Sequence, residues 1–340
     1  MSSEIKLKHL IFVSLITLVL LATPLNGFAK TNLKIFHAGS LSIPFQKIES
    51  KFEADHPDVN VQLMAYGSVL AVRQVTEVGK KGDIVAVADY SLIPSMMMPD
   101  YANFYLQFAN NRMVIAYNDD SDLSDKINSD NWYNVLEKPQ VQFGFSNPNM
   151  GPCGYRSPMV MQLAEMHYLD PNILDRLVLE NSSIYVEEKD GTYEINTPEA
   201  LKPKSQKLTI RNKSVDLVAM VQQGGLDYAF EYMSVAKQHD LKFVTLPTSI
   251  DLSSTAYADT YDDVKVITSD GKPKTAKPIV YGITIPSNAP NPEIAKEFIK
   301  FLIGETGNEI FTELGQPPIV PARGYENVPE ELNDLVEQNK

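Results

Sequence analysis

The stretch KIFHAGSL, Lys34 to Leu41, carries an apolar strand-like run into Gly-Ser and on into a helical pattern. LMAYGSVL, Leu63 to Leu70, repeats that arrangement in weaker form. Around the first, LKIFHA reads as a strand and SLSIPFQKIESKFEADHP as a helix closed by Pro57, because Leu41, Phe45, Ile48 and Phe52 keep helical spacing. VNVQLMA is a second strand and Ser68 to Val78 a second helix. GDIVAVAD is a nearly continuous apolar strand of the kind covered on both faces in a parallel sheet. This β-α-β-α-β order predicts an open α/β sheet, whose ligands lie beyond the carboxyl ends of its strands.

Each Gly-Ser pair stands where a strand gives way to a helix. A helix begins with backbone N–H groups that lack intrahelical partners, and its dipole puts partial positive charge there. Glycine lets a ligand approach the backbone, and a serine hydroxyl either caps the helix or donates to an oxyanion. Both roles, cap and anion cradle, stay open at Gly39-Ser40 and at Gly67-Ser68. A third turn-rich run, SNPNMGPCGYRS (Ser146 to Ser157), follows the strand VQFGF and precedes a helix, so its N–H groups could face the first two turns across a cleft.

Further along, NRMVIAYN is a strand, and the polar DDSDLSDKINSDNW after it reads as a crossing into a second domain. Val186 to Ile210 predicts an exposed hairpin around Asp190-Gly191, SVDLVAMVQQG a helix ended by glycine, and LDYAFEY a strand. VKVIT and KPIVYGITIP flank Ser269 to Lys272 and predict another hairpin, while PEIAKEFIKFLIGETGNEIFTELG supplies one or two helices covering the first domain. The expected division is a signal peptide over 1–29, a discontinuous lobe over 30–115 and 260–340, and a second lobe over 116–259.

The signal-peptide reading rests on Lys6 and Lys8, the apolar run Leu10 to Ala22 and the small residues around Gly27-Phe28-Ala29. The run is too short for a comfortable span, though a retained N-terminal anchor is the alternative. The single cysteine, Cys153, lies far downstream, so no lipid-bearing cysteine sits at the cut and no intramolecular disulfide can form. The expected location is periplasmic or extracellular. A net charge of −13 over 340 residues argues against nucleic acid as a partner, which needs a basic face. It argues less against a small anion, since local donors outweigh a distant field. No Walker-type or Gly-x-Gly-x-x-Gly run appears, the five histidines are scattered, and neither a cofactor nor a free metal cation is expected. An enzyme with Cys153 as nucleophile is the rival class; His37, His167 or His239 would have to supply its base, and none lies at diagnostic spacing.

HAGSL, AYGSV, PCGYRS, LDYAFEY with SVAKQH, and LPTSIDLSS occur in that order, and together the chain resembles the molybdate/tungstate-binding proteins of ABC importers, the archaeal branch. The resemblance implies a type II periplasmic-binding-protein fold: two α/β lobes joined by a two-strand hinge, with an oxyanion closed between them. It implies a non-enzymatic monomer that hands molybdate or tungstate to a permease and its ATPase subunit; sulfate or another tetrahedral oxyanion is the alternative. Carried over by position, the ligand-binding residues are Gly39, Ser40 and Ser68 in the first lobe. In the second they are Gly151, Pro152, Cys153, Gly154 and Tyr155 as a loop, then Ser214 and Tyr232. Two carboxylates of that branch, which ligate the anion's metal, fall at Gly151 and Ser214. Neither is an acid here, which implies that the anion is held by hydrogen bonds alone.

Overall fold

The computed structural model describes residues 30–339. The signal-peptide reading of 1–29 lies outside them. Seven strands form the first sheet: β1 (Thr31–Ala38), β2 (Val59–Tyr66), β3 (Ile84–Val87), β4 (Phe104–Asn110), β14 (Val280–Thr284), β15 (Pro318–Glu326) and β16 (Val336–Asn339). Their order is β16-β15-β4-β14-β3-β1-β2. β1 runs parallel to both β2 and β3, and β14 enters antiparallel between β3 and β4. The β1–β2 register sets Ala38 opposite Tyr66, so the two Gly-Ser turns leave the sheet side by side.

Helix α1 (Ser42–Asp55) buries Phe45, Ile48 and Phe52, and Leu41 just before it is buried too. Phe45 and Phe52 meet Phe298 edge-on, with ring centroids 6.2 and 5.1 Å apart. Burial of each such ring stabilises the lobe by about 1.5–3 kcal/mol. Phe298 belongs to helix Pro292–Ile303, which Glu305–Glu313 follows, so the C-terminal segment covers the first lobe. It also adds β15 and β16 to the sheet's edge.

The second lobe is built on β5 (Met113–Tyr117), β6 (Phe143–Ser146), β9 (Leu208–Arg211), β10 (Tyr228–Tyr232) and β11 (Lys242–Thr245), in the order β11-β5-β10-β6-β9. A smaller sheet, ordered β13-β12-β8-β7, joins the hairpin of β7 (Tyr185–Lys189) and β8 (Thr192–Asn196) to that of β12 (Val264–Ile267) and β13 (Pro273–Thr275). The first of these turns at Asp190-Gly191, both with positive φ, as its Asp-Gly pair demands.

Two expectations change. The second arm of the late hairpin is Pro273–Thr275; β14, five residues on, pairs instead with β3 and β4. Pro278 lies between the two, breaking the run that the sequence pattern had joined. The chain also changes sheets at Asn111-Arg112, before the polar run, because β5 is already the neighbour of β10. It returns only after Ala276, since β12 is held by β8. The two crossings touch where Asn111 N–H donates to Ile279 C=O at 3.2 Å.

Candidate functional site

The carboxyl ends of β1 and β2 face the ends of β6 and β10 across the interlobe cleft, and a cavity of about 80 Å³ lies between them. Four helical segments start on its wall. The 3-10 turn Gly39–Leu41 runs into α1; α2 (Ser68–Thr76), α3 (Pro152–Tyr168) and α4 (Ser214–Gln222) begin there directly. Their preceding residues Ala38, Gly67, Gly151 and Lys213 make no side-chain capping bond. Among the described residues no side chain bonds the N–H groups of those first turns, and four partial positive charges converge on one small space.

The side chains on the wall are oriented by what stands behind them. Ser68, 1% exposed, accepts the N–H of Ala88 on its hydroxyl oxygen at 3.0 Å. Tyr232 accepts from the Arg156 guanidinium at 2.7 Å. Both donors can only donate, so the hydroxyl protons of Ser68 and Tyr232 are left for the cavity. Ser40 lies 2.9 Å from the hydroxyl of Tyr281. Among the described residues the wall carries no carboxylate side chain; Lys213 stands exposed at the rim.

Of the residues expected at the site, Gly39, Ser40, Ser68, Gly151, Pro152, Cys153, Ser214 and Tyr232 line this cavity. Gly154 and Tyr155 do not. Pro152 to Tyr155 form the first turn of α3 rather than a loop, because proline at the helix start needs no N–H partner there. That turn carries Gly154 against the backbone of Ser146 and Asn147, and aims Tyr155 at the other lobe.

There Tyr155 donates to Asp89 Oδ2 at 2.6 Å, Lys277 approaches Oδ1 at 3.1 Å, and Ser91 donates to Oδ1 from both backbone and hydroxyl. Burial alone would raise the Asp89 carboxyl, but the charges of Lys277 and Arg156 with these hydrogen bonds hold it well below the ordinary carboxylate range. Arg156 also donates to Ala88 C=O at 2.8 Å, so one side chain from α3 touches the first lobe and the cavity's tyrosine together. Asp89 and Lys277 carry no local motif that a sequence pattern could flag.

Cys153 is buried with its thiol toward Phe230 C=O and Glu231 Oε1, at 3.7 and 3.5 Å. Burial, and then the neighbouring Glu231, push the thiol well above its ordinary pKa, opposite to what a nucleophile requires. Its hydrogen-bond partners among the described residues include no histidine. Glu231 is fully buried; desolvation, partly offset by Tyr232 N–H and the other bonds it accepts, raises its carboxyl to about 7. Among the described residues its Oε2 has no hydrogen-bond partner.

The family model described as bacterial extracellular solute-binding protein matches residues 33–315. An uncharacterized solute-binding protein of Methanoculleus marisnigri is 52% identical over 311 residues, covering 91% of this chain and 87% of that one. The molybdate/tungstate-binding protein WtpA of Pyrococcus abyssi is 49% identical over 320 residues, covering 92% of this chain and 91% of the relative. Among solved structures, the periplasmic molybdate-binding protein of Azotobacter vinelandii superposes with a TM-score of 0.58 at 14% identity, covering 84% of this chain and 98% of that one. That likeness is one of fold.

Proposed function

The chain belongs to the bacterial extracellular solute-binding proteins, and from that premise we propose that it captures a molybdate or tungstate dianion between its lobes and delivers it to the permease of an ABC importer. It does so outside the cytoplasmic membrane, as a monomer, and without catalysis. The observation that carries this reading is the small cavity onto which four helix starts converge, with the hydroxyls of Ser68 and Tyr232 made donors by the groups behind them. Such a wall suits a fully deprotonated oxyanion, which only accepts. The volume is far below the roughly 300–1,000 Å³ of pockets for drug-sized ligands. The naming of the Pyrococcus relative supports the metal oxyanions among candidates of this shape.

One observation favours sulfate as a second reading. Gly151 and Ser214 stand at the positions where the resembled branch carries metal-ligating carboxylates, so the cavity holds its anion by hydrogen bonds and helix dipoles alone. Without carboxylates, discrimination against sulfate rests on size. Calorimetric titration of the anion-stripped protein with molybdate, tungstate, sulfate and phosphate separates the two. Tight binding of the first two with little heat from sulfate is expected; preference for sulfate moves the protein to the second reading, and silence from all four removes both.

A further inference from the structure

Ser68 and Tyr232 are set as donors by groups that can do nothing but donate. Ser40 faces the hydroxyl of Tyr281, and of two hydroxyls either can give the proton. The residues behind Tyr281 decide the direction. Asn111 Oδ1 accepts the backbone N–H of Arg112 at 3.0 Å and that of Ser234 at 3.4 Å. Backbone amides only donate, so the amide of Asn111 cannot be turned around, and its Nδ2 must face Ser234 Oγ at 2.7 Å and Tyr281 Oη at 3.1 Å. Tyr281 Oη thus already receives one hydrogen bond. Tyr281 is 0% exposed, and among the described residues its own proton has one remaining acceptor, Ser40 Oγ. With that lone pair occupied, the Ser40 proton is directed to the cavity.

We propose that Asn111 and Tyr281 are positioning residues for anion capture: they form a one-way hydrogen-bond relay that makes Ser40 a donor and ties its direction to the hinge. The inference rests on the oxyanion reading above. Asn111 lies on the first crossing between lobes, and its own N–H is bonded to Ile279 on the second. Tyr281 follows two residues after Ile279, while Ser234 belongs to the second lobe. The relay is complete only when both crossings and the second lobe are in register. Each bond polarises the next, so the terminal hydroxyl is a stronger donor than an isolated serine.

A double-mutant cycle tests this. Wild type, Tyr281→Phe, Ser40→Ala and the double variant are titrated with tungstate, molybdate and sulfate, and the cycle is read on the anion that wild type binds tightest. Tyr281→Phe is expected to weaken binding about tenfold in the wild-type background and no more than about twofold beside Ser40→Ala, since it acts through that hydroxyl. Asn111→Asp provides the second variant: its carboxylate accepts from Tyr281 and reverses the relay, so its loss should likewise shrink when Ser40 is absent. Its added charge acts on the anion in both backgrounds and leaves the coupling. Equal losses with and without Ser40, or no loss at all, overturn the relay while leaving the oxyanion reading intact. Failure of wild type to bind any of the three overturns the oxyanion reading, and the relay with it.

Discussion

The phenol of Tyr155 donates to Oδ2 of Asp89 at 2.6 Å, joining the first turn of a helix in one lobe to the end of a strand in the other. Both groups are buried, and Arg156 from the second lobe and Lys277 from the second crossing complete a cluster that spans the cleft. The cavity shares Arg156 with this cluster through Tyr232. One side chain, Arg156, therefore contacts both the interlobe cluster and an anion donor.

Removing one partner of such a cluster leaves buried charge uncompensated. Asp89→Asn strands Lys277 and Arg156 and should weaken anion binding by roughly a hundredfold or more, at about 3–5 kcal/mol for a broken buried pair. Tyr155→Phe should cost about tenfold, as one charge-assisted bond is lost. Titration gives the affinities. Small-angle scattering should show both variants more open with anion present, and unchanged closure in Asp89→Asn would refute a role of this cluster in holding the lobes together.

Gly67 and Gly151 meet across the cleft and should respond unequally to the same change. A β-carbon on Gly67 would overlap the carbonyl oxygen of Met150 in the opposite lobe, whereas one on Gly151 would sit 3.4 Å from Gly67 Cα. Gly67→Ala should therefore lower affinity at least tenfold with little change in thermal stability without ligand, since the clash arises only on closure. Gly151→Ala should change affinity by about threefold or less. The comparison needs only the two titrations and two melting curves.

The double variant Gly151→Asp with Ser214→Glu puts carboxylates where the resembled branch has them. A carboxylate repels an anion that it cannot ligate. Binding of sulfate should fall by about tenfold or more while tungstate, whose metal can accept extra ligands, falls less. A loss equal for both anions would show that these positions do not govern selectivity.

His37, one residue before the end of β1 and close to the Gly-Ser turn, is 1% exposed and donates to Ala38 C=O at 2.9 Å. Burial lowers its pKa to about 4, against the small raising effect of that bond. The unfolded chain then binds a proton that the folded one refuses, so stability is complete above the ordinary histidine value and falls as pH drops from about 6.5 toward 4. The loss approaches roughly 3 kcal/mol at the lower limit. Denaturant melts across that window should show it, and His37→Asn should flatten the slope.

Glu231 predicts the opposite trend for binding. Its folded-state carboxyl is raised to about 7, chiefly by burial, so native stability falls as pH rises from the ordinary glutamate range through 7. Ionisation there also places a negative charge behind the walls formed by Cys153 and Tyr232. Anion affinity should fall several-fold, about 1 kcal/mol, as pH rises through 7, and binding should take up protons. Calorimetry in buffers of different ionisation enthalpy measures that uptake, which Glu231→Gln should abolish.

The local pattern of the chain determined three strands of the first sheet, β1 to β3, and the place of the two Gly-Ser turns. Apolar runs and helical spacing at Leu41, Phe45, Ile48 and Phe52 are short-range consequences of burial, and they recur in the observed elements. Gly39, Ser40, Ser68, Gly151, Ser214 and Tyr232 were visible as separate turns and ends, and a resemblance rather than any spacing suggested that they share a cavity. What only the tertiary structure decided is everything carried between residues far apart in the chain. β14 joins the first sheet because its partners β3 and β4 lie about 170 to 200 positions earlier, beyond the reach of any periodicity. Asp89 is paired with Tyr155 across the two lobes, and Ser40 with Tyr281 and Asn111 by the packing of distant strands of the first sheet. The direction of a hydroxyl proton depends on what stands behind it, and in this protein those groups come from other elements of the fold, distant in the chain.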